Sequence, residues 1–161
     1  MQLFILFHRI RNVEVIEALD ALTGRTQWSH EYVTSYRDDF GFDEGPRSVP
    51  VVADGRVYTF GAQGTLHALY LATGRVLWSE DTRRRFGVRK GFFGAAGSPL
   101  VQGGRVLANI GGREAGIVAF DAETGDVLWR RSVNAGRPPF PRHMKNTYAS
   151  ETPTTDGERV Y

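Results

Sequence analysis

The densest group of chemically useful side chains in this sequence lies at positions 83–94. This segment holds five cations, three phenylalanines and three glycines. Guanidinium groups can hold carboxylates or phosphates through paired hydrogen bonds, and a phenylalanine face can support a planar ring. The segment therefore predicts a site for a small anionic ligand or an acidic protein partner. The candidate residues are Arg83, Arg84, Arg85, Arg89, Lys90, Phe92 and Phe93.

A second interpretation of the same segment needs no ligand. An earlier polar segment carries four acids that could pair with these cations and leave an ordinary solvated loop: Asp38, Asp39, Asp43 and Glu44. The glycine spacing matches neither a phosphate-binding P-loop nor a dinucleotide-binding fingerprint, so no nucleotide is predicted. At the level of sequence, both interpretations stay open.

Other kinds of site are not predicted. The sequence has no cysteine, and none of its four histidines stands at a metal-ligand spacing from another. No histidine is tied by a known motif to a nucleophile and an acid, so no catalytic residue is assigned. The net charge is +2 and charges of both signs are interspersed, which predicts no nucleic-acid partner. The apolar opening, 1–7, is too short to span a membrane and predicts a strand.

The elements that must position the basic segment come from a repeat. One eleven-residue pattern occurs at 18–28, 68–78 and 119–129, and it places the three tryptophans of the chain 50 and 51 residues apart. Each copy reads Ala, an apolar residue, Asp or Tyr, two residues, Thr-Gly, three residues and Trp. A fixed period of this length is typical of arrays of small supersecondary units. Function is therefore expected in segments that do not repeat.

Each unit is predicted to consist of short antiparallel strands joined by glycine turns. The first unit, 1–31, holds the outer strands of a truncated blade at 3–7, 13–19 and 26–30. The second unit, 32–81, has strands at 48–52, 56–60, 65–69 and 76–79, and the third, 82–131, at 98–101, 105–110, 117–120 and 127–131. Residues 132–161 hold a connecting loop and the start of the next blade. Almost no helix is expected, because no segment carries an apolar stripe of period 3.6.

Four-stranded units with one tryptophan each favour an all-β propeller over a linear solenoid. At about 50 residues a blade, the sequence holds two complete blades and parts of two others. It is therefore expected to be a fragment of one propeller domain, whose remaining blades belong to the same chain. The long segments 32–47, 80–97 and 132–150 should share one rim, where functional groups commonly lie.

The repeat resembles that of the pyrroloquinoline-quinone-like (PQQ-like) repeat propellers, whose units carry an Ala-x-Asp-x-x-Thr-Gly-x-x-x-Trp tryptophan-docking motif. The resemblance covers nearly the whole chain and implies a ring of roughly seven or eight blades. Tyr70 stands where the family pattern has Asp, so the polar contacts of that acid are not expected in the second unit. The resemblance implies docking tryptophans, small partners and turn glycines at Trp28, Trp78, Trp129, Ala18, Ala68, Ala119, Gly24, Gly74 and Gly125.

The resembled family contains both enzymes and non-enzymes: quinoprotein alcohol dehydrogenases, and the propeller scaffold of outer-membrane protein assembly. Because no catalytic set is visible, the favoured function is a binding or assembly scaffold in the periplasm or otherwise outside the cytoplasm. Its loop face would take a protein partner or a small anionic ligand. The alternative is a PQQ-dependent dehydrogenase that oxidises an alcohol or sugar, with PQQ and calcium held by the full-length protein.

Overall fold

The chain forms three antiparallel β-sheets that follow one another along the sequence. The computed structural model describes residues 2–112, 114–133 and 152–161. The strands are β1 Leu3–Ile10, β2 Val13–Asp20, β3 Thr26–Val33, β4 Val51–Ala53, β5 Arg56–Phe60, β6 Thr65–Tyr70, β7 Val76–Asp81, β8 Leu100–Gln102, β9 Arg105–Asn109, β10 Ile117–Asp121 and β11 Val127–Arg131. Within the described residues the sheet orders are β1-β2-β3, β4-β5-β6-β7 and β8-β9-β10-β11. Each sheet is one blade, and the predicted all-β propeller architecture is confirmed.

Some predicted strand limits are wrong by a few residues. The strands expected to begin at 48 and 98 begin at 51 and 100, and the serines at 48 and 98 make side-chain hydrogen bonds instead. Ser48 Oγ donates to the carbonyl oxygen of Phe60 at 2.6 Å, and Ser98 Oγ accepts the N–H of Val49 at 2.7 Å. The proline before each strand has no N–H to add to the ladder. The first sheet also runs to Val33, beyond the predicted limit of the first unit at residue 31.

A single turn of helix, α1 (Thr82–Phe86), follows β7 directly. The Asp81 side chain accepts the N–H of Arg84 at 2.9 Å and thereby caps the start of the turn. Gly87 ends the turn at a φ of 61° and donates its N–H to the carbonyl oxygen of Arg83. The first three cations of the basic segment therefore lie on a fixed helical turn, where the sequence predicted a loop.

Each copy of the repeated motif spans two strands and the turn between them. The alanine lies directly opposite the tryptophan of the same copy, and a β-bulge follows the alanine in each sheet. These cross-strand pairs are Ala18–Trp28, Ala68–Trp78 and Ala119–Trp129. The turn glycines Gly24, Gly74 and Gly125 take φ values of 68°, 69° and 77°, a left-handed conformation that costs glycine little.

The acid in the motif organises its turn. Asp20 Oδ1 accepts the N–H groups of Thr23 and Leu22 at 2.8 and 3.0 Å, and these hydrogen bonds, led by that of Thr23, lower the pKa of Asp20. Tyr70 has no such acceptor. Its ring instead lies 4.4 Å from the guanidinium carbon of Arg75, while its backbone oxygen still accepts the N–H of the turn glycine. The second turn therefore keeps its shape through backbone hydrogen bonds and through the Thr73 hydroxyl, which accepts the N–H of Arg75 at 3.3 Å, without an acid.

Neighbouring blades are joined by tryptophans. Trp28 of the first blade donates its Nε1–H to the carbonyl oxygen of Leu71 in the second blade at 2.8 Å. Trp78 of the second blade donates to the carbonyl oxygen of Ala122 in the third blade at 3.1 Å. In both cases the indole lies against the turn glycine of the next blade, Gly74 or Gly125. One docking geometry thus recurs at successive blade contacts.

Candidate functional site

A cleft with a volume of about 1100 Å³ lies between the second and third blades. It opens on the loop face, which we define as residues 34–47, 61–64, 82–97, 110–112 and 114–116. The charged side chains that line it are Arg83, Arg85, Arg89, Lys90, Arg130, Asp39 and Glu114. The apolar side chains that line it include Phe60, Phe86, Val88, Phe92, Ala95 and Ile110. Such a mixture of cations and apolar surface suits a ligand that carries both negative charge and a carbon skeleton.

Hydrogen bonds to the β5–β6 turn hold the basic wall of this cleft at both ends. Thr82, at the start of α1, donates its N–H and its hydroxyl to the carbonyl oxygen of Gly64 at 3.0 and 2.7 Å. At the far end, Ala95 donates its N–H to the carbonyl oxygen of Ala62 at 2.9 Å. Residues 82–95 are therefore held in place at both ends and form one wall of the cleft.

The cations of the cleft divide into paired and unpaired groups. The paired ones are Arg85 with Glu80, Lys90 with Asp39 at 2.5 Å, and Arg130 with Glu114 at 4.0 Å. Among the described residues, no carboxylate lies within 4.0 Å of the guanidinium groups of Arg83 or Arg89. Five cations and three acids leave a formal charge of +2 in and around the cleft. The excess charge favours an anionic ligand.

The structure brings together only part of the predicted residue set. Five of the seven candidates line the cleft: Arg83, Arg85, Arg89, Lys90 and Phe92. Arg84 is exposed on α1 outside the cleft lining. Phe93 also lies outside the lining, because it packs against Arg47: its carbonyl oxygen accepts from Arg47 Nη1 at 2.8 Å, and the guanidinium lies 4.7 Å from its ring centroid.

The alternative interpretation, pairing with the earlier acids, applies to one acid among the described residues. Asp39 reaches the basic segment through Lys90. The other three acids contact other partners: Asp38 accepts backbone N–H groups, Asp43 pairs with Arg47, and Glu44 pairs with Arg37 and with Arg9 of β1. The N–H of Asp43, at 2.8 Å, contributes most to lowering the pKa of Asp38. Ion pairing with this acidic segment therefore leaves Arg83 and Arg89 uncompensated.

Several lining residues carry no signal in the sequence. Phe60 and Arg130 lie at or near the ends of β5 and β11, and Ile110 follows β9 directly. Tyr36 reaches the cleft from the first connecting segment and donates its hydroxyl to the carbonyl oxygen of Phe92 at 2.5 Å. These residues come from separate repeat units, and only the side-by-side arrangement of blades brings them together.

The described residues do not supply a site for calcium. In 2–112, 114–133 and 152–161, no three His, Asp or Glu side chains lie close enough to hold a metal ion. The cleft presents mainly cations, whereas calcium needs a shell of oxygen ligands. These residues thus do not fit the calcium ion of a quinone and calcium pair, and no reaction step is derived through such a pair. No helix in the same part of the chain is long and apolar enough to cross a membrane.

Four-stranded antiparallel blades joined by tryptophan-docking turns define a β-propeller of the PQQ-like repeat class. This class is the one that the sequence resembles, so the predicted resemblance is confirmed. The chain belongs to the family whose model is described as outer membrane protein assembly factor BamB, which matches residues 12–161.

Known proteins similar to this chain include both dehydrogenases and BamB. Quinohemoprotein alcohol dehydrogenase ADH-IIG of Pseudomonas putida is 33% identical over 136 residues, which make up 81% of this chain and 18% of that protein. The crystal structure of quinohemoprotein alcohol dehydrogenase from Comamonas testosteroni is 31% identical, with a TM-score of 0.51 over 81% of this chain and 21% of that chain. BamB from Moraxella catarrhalis shares the fold, with a TM-score of 0.51 and 24% identity over 74% of this chain and 33% of that chain. The chain spans about a fifth of the length of the curated relatives that it matches.

Proposed function

We propose that this protein is a binding or assembly scaffold whose loop face holds an acidic protein segment or a small anionic ligand in the cleft. The observation that carries the proposal is the pair Arg83 and Arg89, which line the cleft without a carboxylate partner among the described residues. Guanidinium groups bind carboxylates through charge-assisted hydrogen bonds. Family membership supports a place outside the cytoplasm and a protein partner.

The difference between the paired and the unpaired cations supports the same function. Arg85 is paired with Glu80 and Lys90 with Asp39, so the charges of these two cations are largely neutralised when no ligand is bound. Arg83 and Arg89 keep their charge available in a cleft that is partly walled by apolar side chains. Arg83 is half-buried, so charge–charge attraction at its guanidinium group is stronger than on an open surface, whereas Arg89 is exposed and its attraction is screened more by solvent. These two residues are therefore the proposed anion ligands.

Removing both free guanidinium groups should weaken anion binding. In the complete gene product, the double variant Arg83→Gln with Arg89→Gln is expected to raise the Kd for a hexaglutamate peptide or for citrate about 10- to 100-fold, because the net value of each lost hydrogen bond at these solvent-accessible groups is roughly 0.7 to 1.4 kcal/mol. Titration calorimetry at fixed ionic strength measures this. The two probes also separate a peptide-sized ligand from a small one.

Arg84→Gln is the matched control for this experiment. It removes one positive charge from the helical turn that carries Arg83, but its side chain lies outside the cleft lining. Its Kd should therefore stay within about threefold of that of the wild type, since only long-range attraction is lost. Equal weakening by Arg84→Gln, or no binding of either probe to the wild type, would refute the cleft as the site.

A second candidate function rests on the 33% identity to a quinohemoprotein alcohol dehydrogenase. In that case the complete gene product would bind PQQ with calcium through residues outside the described ones and would oxidise an alcohol or a sugar. The assay adds PQQ and calcium to the complete gene product and follows reduction of an electron-accepting dye with primary alcohols and aldoses as substrates. Clear turnover would replace the scaffold proposal, and no turnover under saturating cofactor would support it.

A further inference from the structure

The first and second blades meet partly through polar rings. The imidazole of His67, on β6, has its ring centroid 4.3 Å from that of Tyr32 and 5.5 Å from that of His30, both on β3. His67 is only 5% exposed. We call His30, Tyr32 and His67 the ring layer. It lies beside the docked tryptophan Trp28, so it belongs to the contact that joins these two blades.

Several buried polar atoms in and beside the ring layer lack a hydrogen-bond partner among the described residues. They are Nε2 of His30, Nδ1 of His67 and Oγ1 of Thr59. Thr59 is the direct cross-strand neighbour of His67, so their side chains share one face of the second blade. Buried polar atoms in folded proteins are normally paired, because an unpaired one costs free energy. The ring layer is therefore a less stable part of the contact than the tryptophan beside it.

No acid is placed to stabilise a positive charge on His67. Its cross-strand neighbours on β5 and β7 are Thr59 and Ser79, which are uncharged. On the opposing β3, Glu31 raises the pKa of its neighbour His30, although burial has the larger effect and lowers it. A proton on His67 would face the other imidazole across the contact, with no carboxylate in a balancing position.

The buried acid that contacts the ring layer, Glu14, already has hydrogen-bond partners. Glu14 on β2 is fully buried, and its carboxylate accepts the hydroxyl of Tyr32 at 2.5 Å and the N–H of Ala62 at 3.0 Å. Arg9 adds a favourable charge, but burial dominates and raises the pKa of Glu14. Its hydrogen bonds link the first blade to the β5–β6 turn of the second. Glu14 thus stabilises the contact between the first and second blades, but it does not compensate a positive charge on His67.

We propose that the ring layer is a proton-sensitive latch. When His67 takes up a proton, the contact between the first and second blades opens, while the contact between the second and third blades stays closed. The described core of that second contact is built from apolar and aromatic side chains together with the docked Trp78, and it contains no histidine. Acidification would therefore loosen one side of the propeller selectively. It would also free residues 34–47 from the β5–β6 turn, where the side chain of Gln63 accepts the N–H of Ser35 at 2.7 Å.

The direction of the pH effect follows from the difference in the pKa of His67 between the closed and the opened form of the contact. Burial first, and His30 second, lower the pKa of His67 from 6.5 to about 4 in the closed form. The opened form, with an ordinary imidazole, binds more protons in this range. The stability of the latch is therefore complete above pH 6.5 and is lost as the pH falls towards 4. Through His67 alone, the equilibrium constant for opening should rise about 30-fold from pH 7.5 to pH 5.

Glu14 contributes a pH effect of the opposite sign. Since its pKa is raised in the closed form, the closed form takes up that proton first and is favoured as the pH falls. The contribution of His67 is isolated by comparing the wild type with His67→Phe, because Glu14 is present in both proteins. Phenylalanine keeps a planar ring of similar size and cannot titrate in this range.

Hydrogen exchange of the indole N–H groups tests the latch in the complete gene product. Trp28 reports the first contact and Trp78 the second, through their bonds to Leu71 and Ala122. Exchange rates at pH 7.5 and 5.0 are corrected for intrinsic exchange. The protection of Trp28 should fall about 30-fold more in the wild type than in His67→Phe, and that of Trp78 should be alike in both. Equal loss at both tryptophans, or no difference between the proteins, overturns the proposal.

A direct titration keeps the proposal testable even when His67→Phe fails to fold. The imidazole signals of the wild type are followed by NMR between pH 3.5 and 8, a window that brackets both ends of the shift from 6.5 to about 4. A midpoint for His67 well below 6 supports the latch, and a midpoint near 6.5 overturns it.

Discussion

Replacement of Trp78 by alanine is expected to lower the free energy of unfolding by about 3 to 5 kcal/mol. The Trp78 side chain is 8% exposed, and its Nε1–H donates to the carbonyl oxygen of Ala122 in the next blade at 3.1 Å. Its ring centroid lies 6.2 Å from that of Tyr58 and 6.3 Å from that of Phe120. Truncation removes this apolar burial together with the hydrogen bond between blades. Denaturant unfolding of the complete gene product measures the loss.

Leu22→Ala is the control for this measurement. Leu22 is 90% exposed in the turn of the first motif, so its truncation should change the stability by no more than about 0.5 kcal/mol. A loss below about 1 kcal/mol for Trp78→Ala would contradict a docked, energetically important indole.

Gly125→Ala should be strongly destabilising for a different reason. Gly125 has a φ of 77°, and a Cβ there would lie 2.7 Å from Cδ2 and 2.9 Å from Cγ of Trp78. The left-handed backbone costs a non-glycine residue about 1 to 2 kcal/mol, and overpacking against a fixed ring adds about 1 to 3 kcal/mol. The expected total is about 2 to 5 kcal/mol. The same unfolding experiment measures it.

Gly24→Ala separates the two contributions to this cost. Gly24 occupies the equivalent turn of the first blade at a φ of 68°, yet a Cβ there would meet no atom within 4 Å. Only the backbone cost of about 1 to 2 kcal/mol is expected. Equal losses of unfolding free energy in the two variants would show that the indole of Trp78 can move aside at no cost. The indole would then not be tightly docked.

The variants Trp78→Ala and Gly125→Ala also affect the cleft, because both change the contact between the second and third blades. One of its walls comes from the second blade, through α1 and the β5–β6 turn, and the other from the third blade, through Ile110 and Arg130. The contact that Trp78 and Gly125 make therefore sets the spacing between the walls. The proposed anion ligands Arg83 and Arg89 lie on the first of these walls, so the width of the cleft in front of them depends on how the third blade is held. The docking motif thus serves function indirectly, by positioning loops that do not repeat.

Local patterns in the sequence determined the architecture of this protein. Alternating apolar residues, glycine turns and a tryptophan at a period near 50 residues predict four-stranded blades, since strand formation and tight turns depend on neighbours in the sequence. The same patterns predict the propeller class, and the blades of the structure confirm it. The short helix Thr82–Phe86 lies below the length at which periodicity is detectable, so the sequence could not indicate it.

Tertiary structure alone decided which side chains are available for function. The sequence alone does not distinguish the cations of the basic segment from one another. In the folded chain, Lys90 pairs with Asp39, which lies 51 residues earlier in the sequence. Arg83 and Arg89 contact no acid among the described residues. The sequence likewise places His67 on an ordinary strand, and only the packing of blades buries it against His30. The physical reason is the same in both cases: charge compensation and burial depend on contacts between distant segments, whereas turns and strands depend on adjacent residues.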